Sequence, residues 1–357
     1  MNSYLTKRQE SVFVDGCLSL PKDIVCGVPQ GSILGPLMYI LYTNDIPDLA
    51  HNHTVTSSLP APYCHGCGGT VCYVDDTTYS LAEKDPVALS SGLTEQYQVV
   101  SKYMAANKLV INPDKTHLLV LGSRAMSERR NLVSLQADGH VITPSKQEKL
   151  LGCIVSENLK WRNHILDHEQ SMIRQLTSRV NGLFLITSRA DFNTKLMVAN
   201  GLVISKLSYL IQLWGGCEGY LLKMLQVQMN RAARYVTGYS GFTSTRRLMD
   251  KCGWLTVKQM IVFQTTLMVH KTLLTKQPFY LHSRFPTDQP YGTRQHSTGC
   301  IRLDQTFRCK GDLPRTGFRQ RGAHGYNSLP AEIRTCKNLG TFRYKLRRWI
   351  RQNIEPD

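Results

Sequence analysis

No part of this sequence is apolar enough to cross a membrane. Its longest strongly apolar stretch, Leu196–Trp214, is interrupted by Asn200, Lys206 and Gln212, whereas a bilayer span needs about 20 predominantly apolar residues. The segment Met1–Glu10 has no apolar core of the kind that a signal peptide needs. We therefore expect no transmembrane helix, no membrane partner and no secretion.

The cysteines do not have the arrangement of a disulfide scaffold. The chain has 11 of them in 357 residues, an odd number, and most are widely scattered. Disulfide-rich folds are short secreted chains with an even number of cysteines at regular spacings. This usage favours a reducing, intracellular location, in the nucleus or the cytoplasm.

Acidic residues are scarce relative to basic ones. The chain has 26 Asp and Glu against 43 Lys and Arg, a formal charge of +17. This excess favours a polyanion, foremost nucleic acid, as the partner, and a basic surface kept for solubility is the alternative. The segment 301–357 is the most basic, because its 13 Lys and Arg and 5 Asp and Glu give it a formal charge of +8.

The hydrophobic pattern predicts an α+β fold in which short strands come before a helical part. Ser11–Ile24 reads as a hairpin that turns at Asp15-Gly16, and Val71–Tyr79 reads as a second hairpin with a two-residue acidic turn. Ser32–Leu41 predicts a loop that leads into a buried helix, and Pro86–Asn107 predicts a long helix. Extended segments are predicted over Thr116–Leu121, Leu135–Ile142 and Lys149–Val155. Helices are predicted over His164–Ile186, Thr194–Leu213, Tyr220–Thr237, Val257–Leu274 and Leu339–Ile350.

Two segments lack a clear period. Residues 47–70 are rich in Pro, Ser, His and Gly and predict an irregular insertion. Lys276–Gly325 is polar and rich in Pro and Gly, which predicts a loop or partial disorder.

Two adjacent carboxylates, Asp75 and Asp76, interrupt an apolar strand that reads CYVDDTTY. Two carboxylates at a hairpin tip repel each other. A bound divalent cation would neutralise this repulsion and explain why both are present. Polymerases use two such cations, about 3.5–4 Å apart. Taken alone, such a pair is usually only a solvated turn.

A glycine-rich segment upstream gives this pair its context. Gly27–Leu37 reads GVPQGSILGPL, in which the glycines allow close backbone approach, Pro29 stiffens the turn and Gln30 offers an amide to a base or sugar. Followed by Tyr-Val-Asp-Asp, this segment resembles the signature of reverse transcriptases, and the downstream sequence resembles those of non-LTR retrotransposons.

The resemblance implies a domain organisation and a set of site residues. It implies a partial polymerase palm, an antiparallel sheet with helices, over 1–156, a helical thumb-like region over 157–275 and a basic C-terminal region with a terminal helix over 276–357. Asp75 and Asp76 would bind Mg²⁺ or Mn²⁺, and the loop residues Gly27, Pro29, Gln30 and Gly31 would line the incoming deoxynucleotide. RNA template and DNA primer would be the partners.

Two further segments match the family. Lys115 lies in NKLVINPDKT, where the family has a lysine that assists the departing pyrophosphate; a plain surface lysine before a strand is the alternative. Leu151 and Gly152 lie in EKLLGC, which is similar to the hairpin that grips the primer.

The family's third carboxylate has no counterpart in the residues before Gly27. The family carries it in an upstream phenylalanine–aspartate motif, whereas the aspartates found there, Asp15 and Asp23, lie in a predicted turn and just ahead of the loop. We therefore expect little polymerase activity and poor solubility from this chain alone. A non-catalytic, basic nucleic-acid-binding remnant and a product with no selected role are the alternatives.

The predicted insertion also contains a possible structural zinc site. Cys64, His65 and Cys67 form a Cys-x-x-Cys turn followed by glycine, and Cys72 stands close behind. Such a turn lets two thiolates face one tetrahedral ion. The alternative is a set of free thiols in a mobile loop.

Overall fold

The chain forms two compact units. The computed structural model describes residues 4, 6–24, 27–29, 31–49, 69–122, 126–285, 300–301 and 317–355. One unit comprises Met1–Leu118 and Ala125–Pro144, and the other comprises Leu119–Arg124 and Ser145–Asp357. The predicted palm boundary at residue 156 lies 12 residues beyond the end of the first unit, and the assignment of palm and thumb stays a prediction.

The first unit begins with two nested antiparallel pairs of strands. β1 (Arg8–Glu10) pairs with β4 (Lys22–Ile24), and β2 (Phe13–Val14) pairs with β3 (Cys17–Leu18). Asp15 and Gly16 both have positive φ angles, 49° and 81°, which is the backbone of a tight hairpin turn. The predicted hairpin is therefore present.

The rest of this unit combines helices with two hairpins. Its elements are α1 (Gly35–Tyr42), α2 (Ile46–Leu49), β5 (Gly69–Tyr73), β6 (Asp76–Ser80), α3 (Pro86–Ala106), α4 (Ser127–Arg130), β7 (Leu135–Ala137) and β8 (His140–Ile142). Asp85 caps α3 by accepting a hydrogen bond from the Ala88 N–H at 3.0 Å. The segment predicted to be extended over Thr116–Leu121 forms no named strand and makes one isolated bridge, between Leu118 and Pro144.

Few apolar side chains are buried in the first unit. Helix α1 was predicted to be buried, yet Leu37, Ile40 and Leu41 are 50%, 59% and 63% exposed. Side-chain hydroxyls on α3 bind backbone N–H groups at and just before β7. Ser90 and Thr94 accept hydrogen bonds from the Ser134 and Gln136 N–H groups, respectively. Polar contacts and caps therefore hold much of this unit together.

The second unit is a hairpin followed by helices. β9 (Gln147–Leu150) pairs with β10 (Cys153–Ser156). The α-helices are α5 (Met172–Ile186), α6 (Phe192–Ala199), α7 (Ser205–Ser208), α8 (Ile211–Trp214), α9 (Gly219–Thr237), α10 (Thr245–Cys252), α11 (Val257–Thr275), α12 (Phe279–His282), α13 (Phe318–Asn327), α14 (Ala331–Arg334) and α15 (Leu339–Asn353). Short π-helical turns occupy Asn163–Asp167 and Asn200–Ile204. Among the described helices, none is long and apolar enough to span a membrane.

The helix predicted over Thr194–Leu213 is not continuous. After the π-helical turn and α7, Tyr209 is extended and Leu210 has a φ of 51°, so α8 starts separately. The Trp214 indole donates to the Tyr209 carbonyl at 2.9 Å, and this tertiary contact stabilises a break that periodicity cannot reveal. The predicted loop over Lys276–Gly325 was also wrong where α12 and α13 form, and its residues 286–299 and 302–316 lie outside the described chain.

Helices α9, α11 and α15 share one apolar core. Leu225 on α9 and Leu346 on α15 are fully buried, and the His270 ring on α11 stacks on Phe342 with centroids 3.5 Å apart. Gln259 closes the capping box at the start of α11 with Thr256, and its Nε2 donates to the Ile354 carbonyl at 2.8 Å. The predicted terminal helix is therefore an integral part of this unit.

Helix α5 offers a matched test of this core. Leu176 is fully buried, whereas Leu185 on the same helix is 81% exposed. We predict that Leu176→Ala lowers the free energy of unfolding of the second unit by about 2–5 kcal/mol, through lost burial and a cavity. Leu185→Ala changes it by less than about 0.5 kcal/mol. Denaturant titration checks both, and equal effects would contradict the assignment of this core.

Candidate active site

The two aspartates lie at the tip of the β5–β6 hairpin. Tyr73 pairs with Asp76, so Val74 and Asp75 form the turn. The predicted acidic turn is thus shifted by one residue, because Asp76 is already the first residue of β6. Both aspartates are exposed, which leaves their carboxylate oxygens accessible to a cation, a substrate and water.

The turn that presents the aspartates has a strained backbone. Val74 has a φ of 56°, in the left-handed region that glycine, asparagine and aspartate adopt most readily. For a β-branched residue this conformation costs about 1–2 kcal/mol. Strain of this kind persists where the surrounding structure enforces it and is concentrated at functional sites.

Helix α1 lies beside this hairpin. The pKa of Tyr39 on α1 is raised, first by burial and then by the negative charges of Asp75 and Cys72. Helix α2 packs against strand β5. The helix that follows the glycine-rich loop therefore adjoins the acidic pair, and no sequence signal marked Tyr39 as the residue facing it.

The glycine-rich loop is anchored by polar contacts at both of its ends. Gly27 has a φ of 80°, and its carbonyl accepts a hydrogen bond from Arg8 Nη2 at 2.6 Å. The hydroxyls of Tyr4 and Ser32 are hydrogen-bonded to each other. Ser32 Oγ also accepts from the Gly35 N–H at 3.1 Å. Tyr4 and Arg8 thus hold the loop that the sequence predicted for nucleotide binding.

Close packing explains why the loop ends in glycine. A Cβ at Gly35 would lie 2.9 Å from Ser32 Oγ and 3.5 Å from the Pro29 carbonyl oxygen. By contrast, Gly31 has a φ of 79° and open space around it, so its role is conformational. Gln30, the predicted base or sugar contact, lies outside the described residues.

Lys115 lies in the same unit as the hairpin. It ends a 3₁₀ turn, Pro113–Lys115, in which the Asn112 side chain accepts from the Asp114 N–H at 3.0 Å. Its side chain is exposed, as both the pyrophosphate role and the plain surface role require.

The predicted primer-grip residues form a tight turn in the second unit. Leu151 and Gly152, between β9 and β10, have φ angles of 47° and 78°. The Tyr209 hydroxyl donates to the Leu151 carbonyl at 2.7 Å, which fixes the turn against the helical part of this unit. Tyr209 thus has a positioning role that sequence reasoning missed.

A buried histidine holds the same hairpin. His164 Nδ1 accepts a hydrogen bond from the Ile154 N–H at 3.2 Å. Burial, and then the positive charges of Lys206 and His168, lower the pKa of His164 from 6.5 to about 4. The neutral ring is therefore the folded form.

The described residues give no support to the zinc prediction. Cys64, His65 and Cys67 lie outside them, and Cys72 has its thiol beside the Thr77 hydroxyl, which donates to it at 3.9 Å. No group of three or more metal-ligating side chains occurs within the described chain. The zinc site stays a prediction.

The sequence comparison decides the family. Residues 1–181 of the 357 match the family model for "Reverse transcriptase (RNA-dependent DNA polymerase)". The chain belongs to the reverse transcriptase family. The matched part of this reverse transcriptase contains the glycine-rich loop, the acidic hairpin, Lys115 and the β9–β10 hairpin.

Similar proteins come from mobile elements. The chain is 25% identical over 246 residues to the "RNA-directed DNA polymerase from mobile element jockey" of Drosophila funebris, which is 69% of this chain and 25% of that protein. It is 25% identical over 287 residues to the "Probable RNA-directed DNA polymerase from transposon BS" of Drosophila melanogaster, 78% of this chain and 30% of that protein. The prediction of a non-LTR retrotransposon reverse transcriptase is thereby confirmed. The chain spans 25% to 30% of the length of these relatives, and no solved structure matches it.

If the turn at Val74 is strained, replacing Val74 by glycine and replacing Val71 by glycine should have opposite effects on the hairpin. Val74 and Val71 are both 64% exposed, but Val74 alone of the two has a positive φ. Val74→Gly relieves the strain and stabilises the hairpin by about 1 kcal/mol. Val71→Gly, within β5, destabilises it by about 0.5–1 kcal/mol. Hydrogen exchange of the β5 and β6 amides should slow in the first variant and accelerate in the second; the same direction in both would argue against a strained turn.

The second unit should lose stability in mild acid because of His164. Because the pKa of His164 is lower in the folded state, the unfolded chain binds the proton at a higher pH than the folded chain does. The contribution of His164 to the free energy of unfolding is therefore fully present above pH 6.5 and is lost as the pH falls toward about 4. The full loss is about 3 kcal/mol. We predict that His164→Asn, which keeps a hydrogen-bond acceptor, flattens this dependence.

Two further histidines define the control for that experiment. His270 is also buried with a lowered pKa, so a smaller pH dependence remains in the variant. His324 is exposed in the same unit, so His324→Asn serves as the control for the same substitution outside the core. Denaturant titrations between pH 4 and 7 make the comparison, and identical slopes for wild type and His164→Asn would contradict the role of His164.

Proposed function

We propose that this chain provides the carboxylate hairpin and nucleotide loop of an RNA-directed DNA polymerase, which joins deoxynucleotides to a DNA primer on an RNA template. The observation that carries the proposal is the β5–β6 tip, where a strained turn presents Asp75 and Asp76 beside helix α1. Strain and exposed like charges both cost stability, and a catalytic role explains why they occur together.

The acidic pair suits a hard divalent cation. Asp75 and Asp76 offer carboxylate oxygens, which Mg²⁺ and Mn²⁺ prefer, and their exposure leaves room for the water and phosphate ligands that Mg²⁺ retains. When bound, a pair of such cations activates the attacking hydroxyl and stabilises the charge on the triphosphate. The two aspartates are the residues that would hold these ions.

The family resemblance supplies the remaining site residues. In this proposal Gly27, Pro29, Gln30 and Gly31 line the incoming deoxynucleotide. Lys115 offers a proton and a positive charge to the leaving pyrophosphate. The turn at Leu151 and Gly152 positions the primer end.

We further propose that this chain by itself does not polymerise. The described residues near the hairpin contribute two carboxylates and no third. Asp15 is a turn residue with a φ of 49°, and Asp23 accepts a hydrogen bond from Gln9 Nε2 at 2.9 Å. With only two carboxylates from the protein, water and substrate must supply more of the metal ligands. The attacking hydroxyl is then less well positioned.

Primer extension tests both parts of this proposal. The purified chain with Mg²⁺, an RNA template, a DNA primer and deoxynucleotides should give no templated product. A longer polypeptide that adds the family's phenylalanine–aspartate motif should extend the primer, and Asp75→Asn in it should reduce the rate at least 100-fold, as expected for a ligand of catalytic cations.

A matched aspartate serves as the control. Asp15 also lies in a hairpin turn, and asparagine tolerates its positive φ, so Asp15→Asn should keep the activity of the longer polypeptide. Extension by the 357-residue chain that Asp75→Asn abolishes would refute the claim of inactivity. Full activity of Asp75→Asn in the longer polypeptide would refute the catalytic role of Asp75.

A further inference from the structure

Two cations flank an aromatic pair where α5, α6 and α9 meet. The rings of Phe184 and Tyr235 are 4.3 Å apart. Lys195 Nζ lies 4.8 Å from the centroid of the Tyr235 ring, and Arg231 Cζ lies 5.2 Å from that of Phe184. Each cation therefore lies over an aromatic face, which restricts its side chain.

Helix α10 adds two more pairs of the same kind. Arg247 Cζ is 5.3 Å from the Tyr239 centroid, and Lys251 Nζ is 5.6 Å from the Phe192 centroid. Arg247 and Lys251 are four residues apart on α10, and Phe192 and Lys195 are three residues apart on α6. Because residues three and four apart share a helix face, the four pairs form one surface, which we call the cation–aromatic surface.

No carboxylate neutralises these cations. Within the described residues, Lys195, Arg231, Arg247 and Lys251 make no ion pair. The neighbouring Asp191 is engaged in capping α6, where it accepts hydrogen bonds from Asn193 and Thr194 N–H groups at 3.2 and 3.3 Å. The surface therefore has an excess of positive charge available to an anionic ligand.

The positive charge continues onto the terminal helix. Arg347 donates to the Gly253 carbonyl, directly after α10, and Arg351 Nη2 donates to the Trp254 carbonyl at 3.4 Å. Burial, and then the charges of Arg351 and Arg343, lower the pKa of Arg347. A row of like charges thus lies next to the end of α10 that carries Lys251.

An uncovered aromatic ring lies between α9 and α10. Phe242 is 102% exposed, whereas Phe184, Phe192, Tyr235 and Tyr239 are all partly buried and have cations over their faces. A fully exposed phenylalanine in the segment that leads into α10 costs free energy through its apolar surface and makes no contact within the described chain that stabilises the fold.

We propose that the cation–aromatic surface binds single-stranded nucleic acid, with its cations on the phosphates and Phe242 stacked on an unpaired base. Each of the four partly buried rings has a cation over one face, whereas Phe242 is fully exposed and offers both of its faces to a base. A positive track beside a stacking ring is the general design of sequence-independent single-strand sites. A duplex would leave Phe242 unused, because its bases stack on each other.

The proposal goes beyond the proposed polymerase reaction. Every residue of the surface belongs to the second unit, whereas Asp75, Asp76 and the nucleotide loop belong to the first. Binding is measured without deoxynucleotides or divalent cations, so failure here leaves the polymerase proposal intact, and the reverse also holds.

Fluorescence anisotropy with the full chain tests the cations. The probes are oligo(dT) and oligo(U) of about 16 nucleotides, the upper end of the usual single-strand site size, and a duplex of equal length. The double variant Lys195→Gln/Lys251→Gln should bind both single strands about 10-fold more weakly, and the slope of log K against log salt should fall by roughly 1.4.

A charge-matched variant controls for the general loss of charge. Arg174 and Lys223 are exposed and lie at the opposite ends of α5 and α9. Arg174→Gln/Lys223→Gln should keep the affinity within about two-fold if the surface is specific. Equal weakening by the two double variants would overturn the assignment of the surface.

Variants of Phe242 test the stacking contact. Phe242→Ala should weaken single-strand binding by roughly five-fold or more without changing the salt slope, and Phe242→Trp should restore it. The proposal fails if Phe242→Ala binds like wild type or if the duplex binds as tightly as the single strands. Displacement of the oligonucleotides by vesicles of anionic lipid at lower charge concentration would also overturn it, in favour of a membrane surface. Thermal melting confirms that each variant folds.

Discussion

Burial of apolar side chains between α9, α11 and α15 is the constraint on which the second unit depends. Its helices can tolerate a π-helical turn, a left-handed Leu210 and several short segments because fully buried residues such as Leu225 and Leu346 fix their packing. The first unit has no comparable core among its described residues. Its geometry depends on individual hydrogen bonds, such as those of Arg8 with Gly27 and of Ser90 with Ser134.

This difference matters for the proposed site. The acidic hairpin and the glycine-rich loop both lie in the unit that buries less, so their precision depends on local devices. They are the register of β5 with β6, the hydrogen bond from the Gly35 N–H to Ser32 Oγ at the start of α1, and the turn in which Val74 has a positive φ. The proposed site is therefore sensitive to single polar contacts in a way that the helical unit is not.

The sequence foretold those elements whose signal is local. Asp15-Gly16 has the residues that a tight turn requires, and α3 has a capping aspartate, a proline in its first turn and a helical apolar period. Val74-Asp75 lacks glycine and begins with a β-branched valine, so the turn was predicted one residue too late. The break at Tyr209 depends on Leu151 and Trp214, which are 58 and 5 residues away, and no window of periodicity contains that information. Likewise, Tyr39 could not be connected to Asp75 before the fold was known.

The amide of Gln259 joins two distant parts of the chain. It completes the cap at the start of α11 and also bonds to the carbonyl of Ile354, 95 residues later. The terminal basic segment is consequently no appendage that can be trimmed to obtain a smaller domain. Shortening the chain there would remove a stacked phenylalanine from beside His270 and leave a helix start without one of its partners, so expression boundaries for this protein belong beyond residue 354.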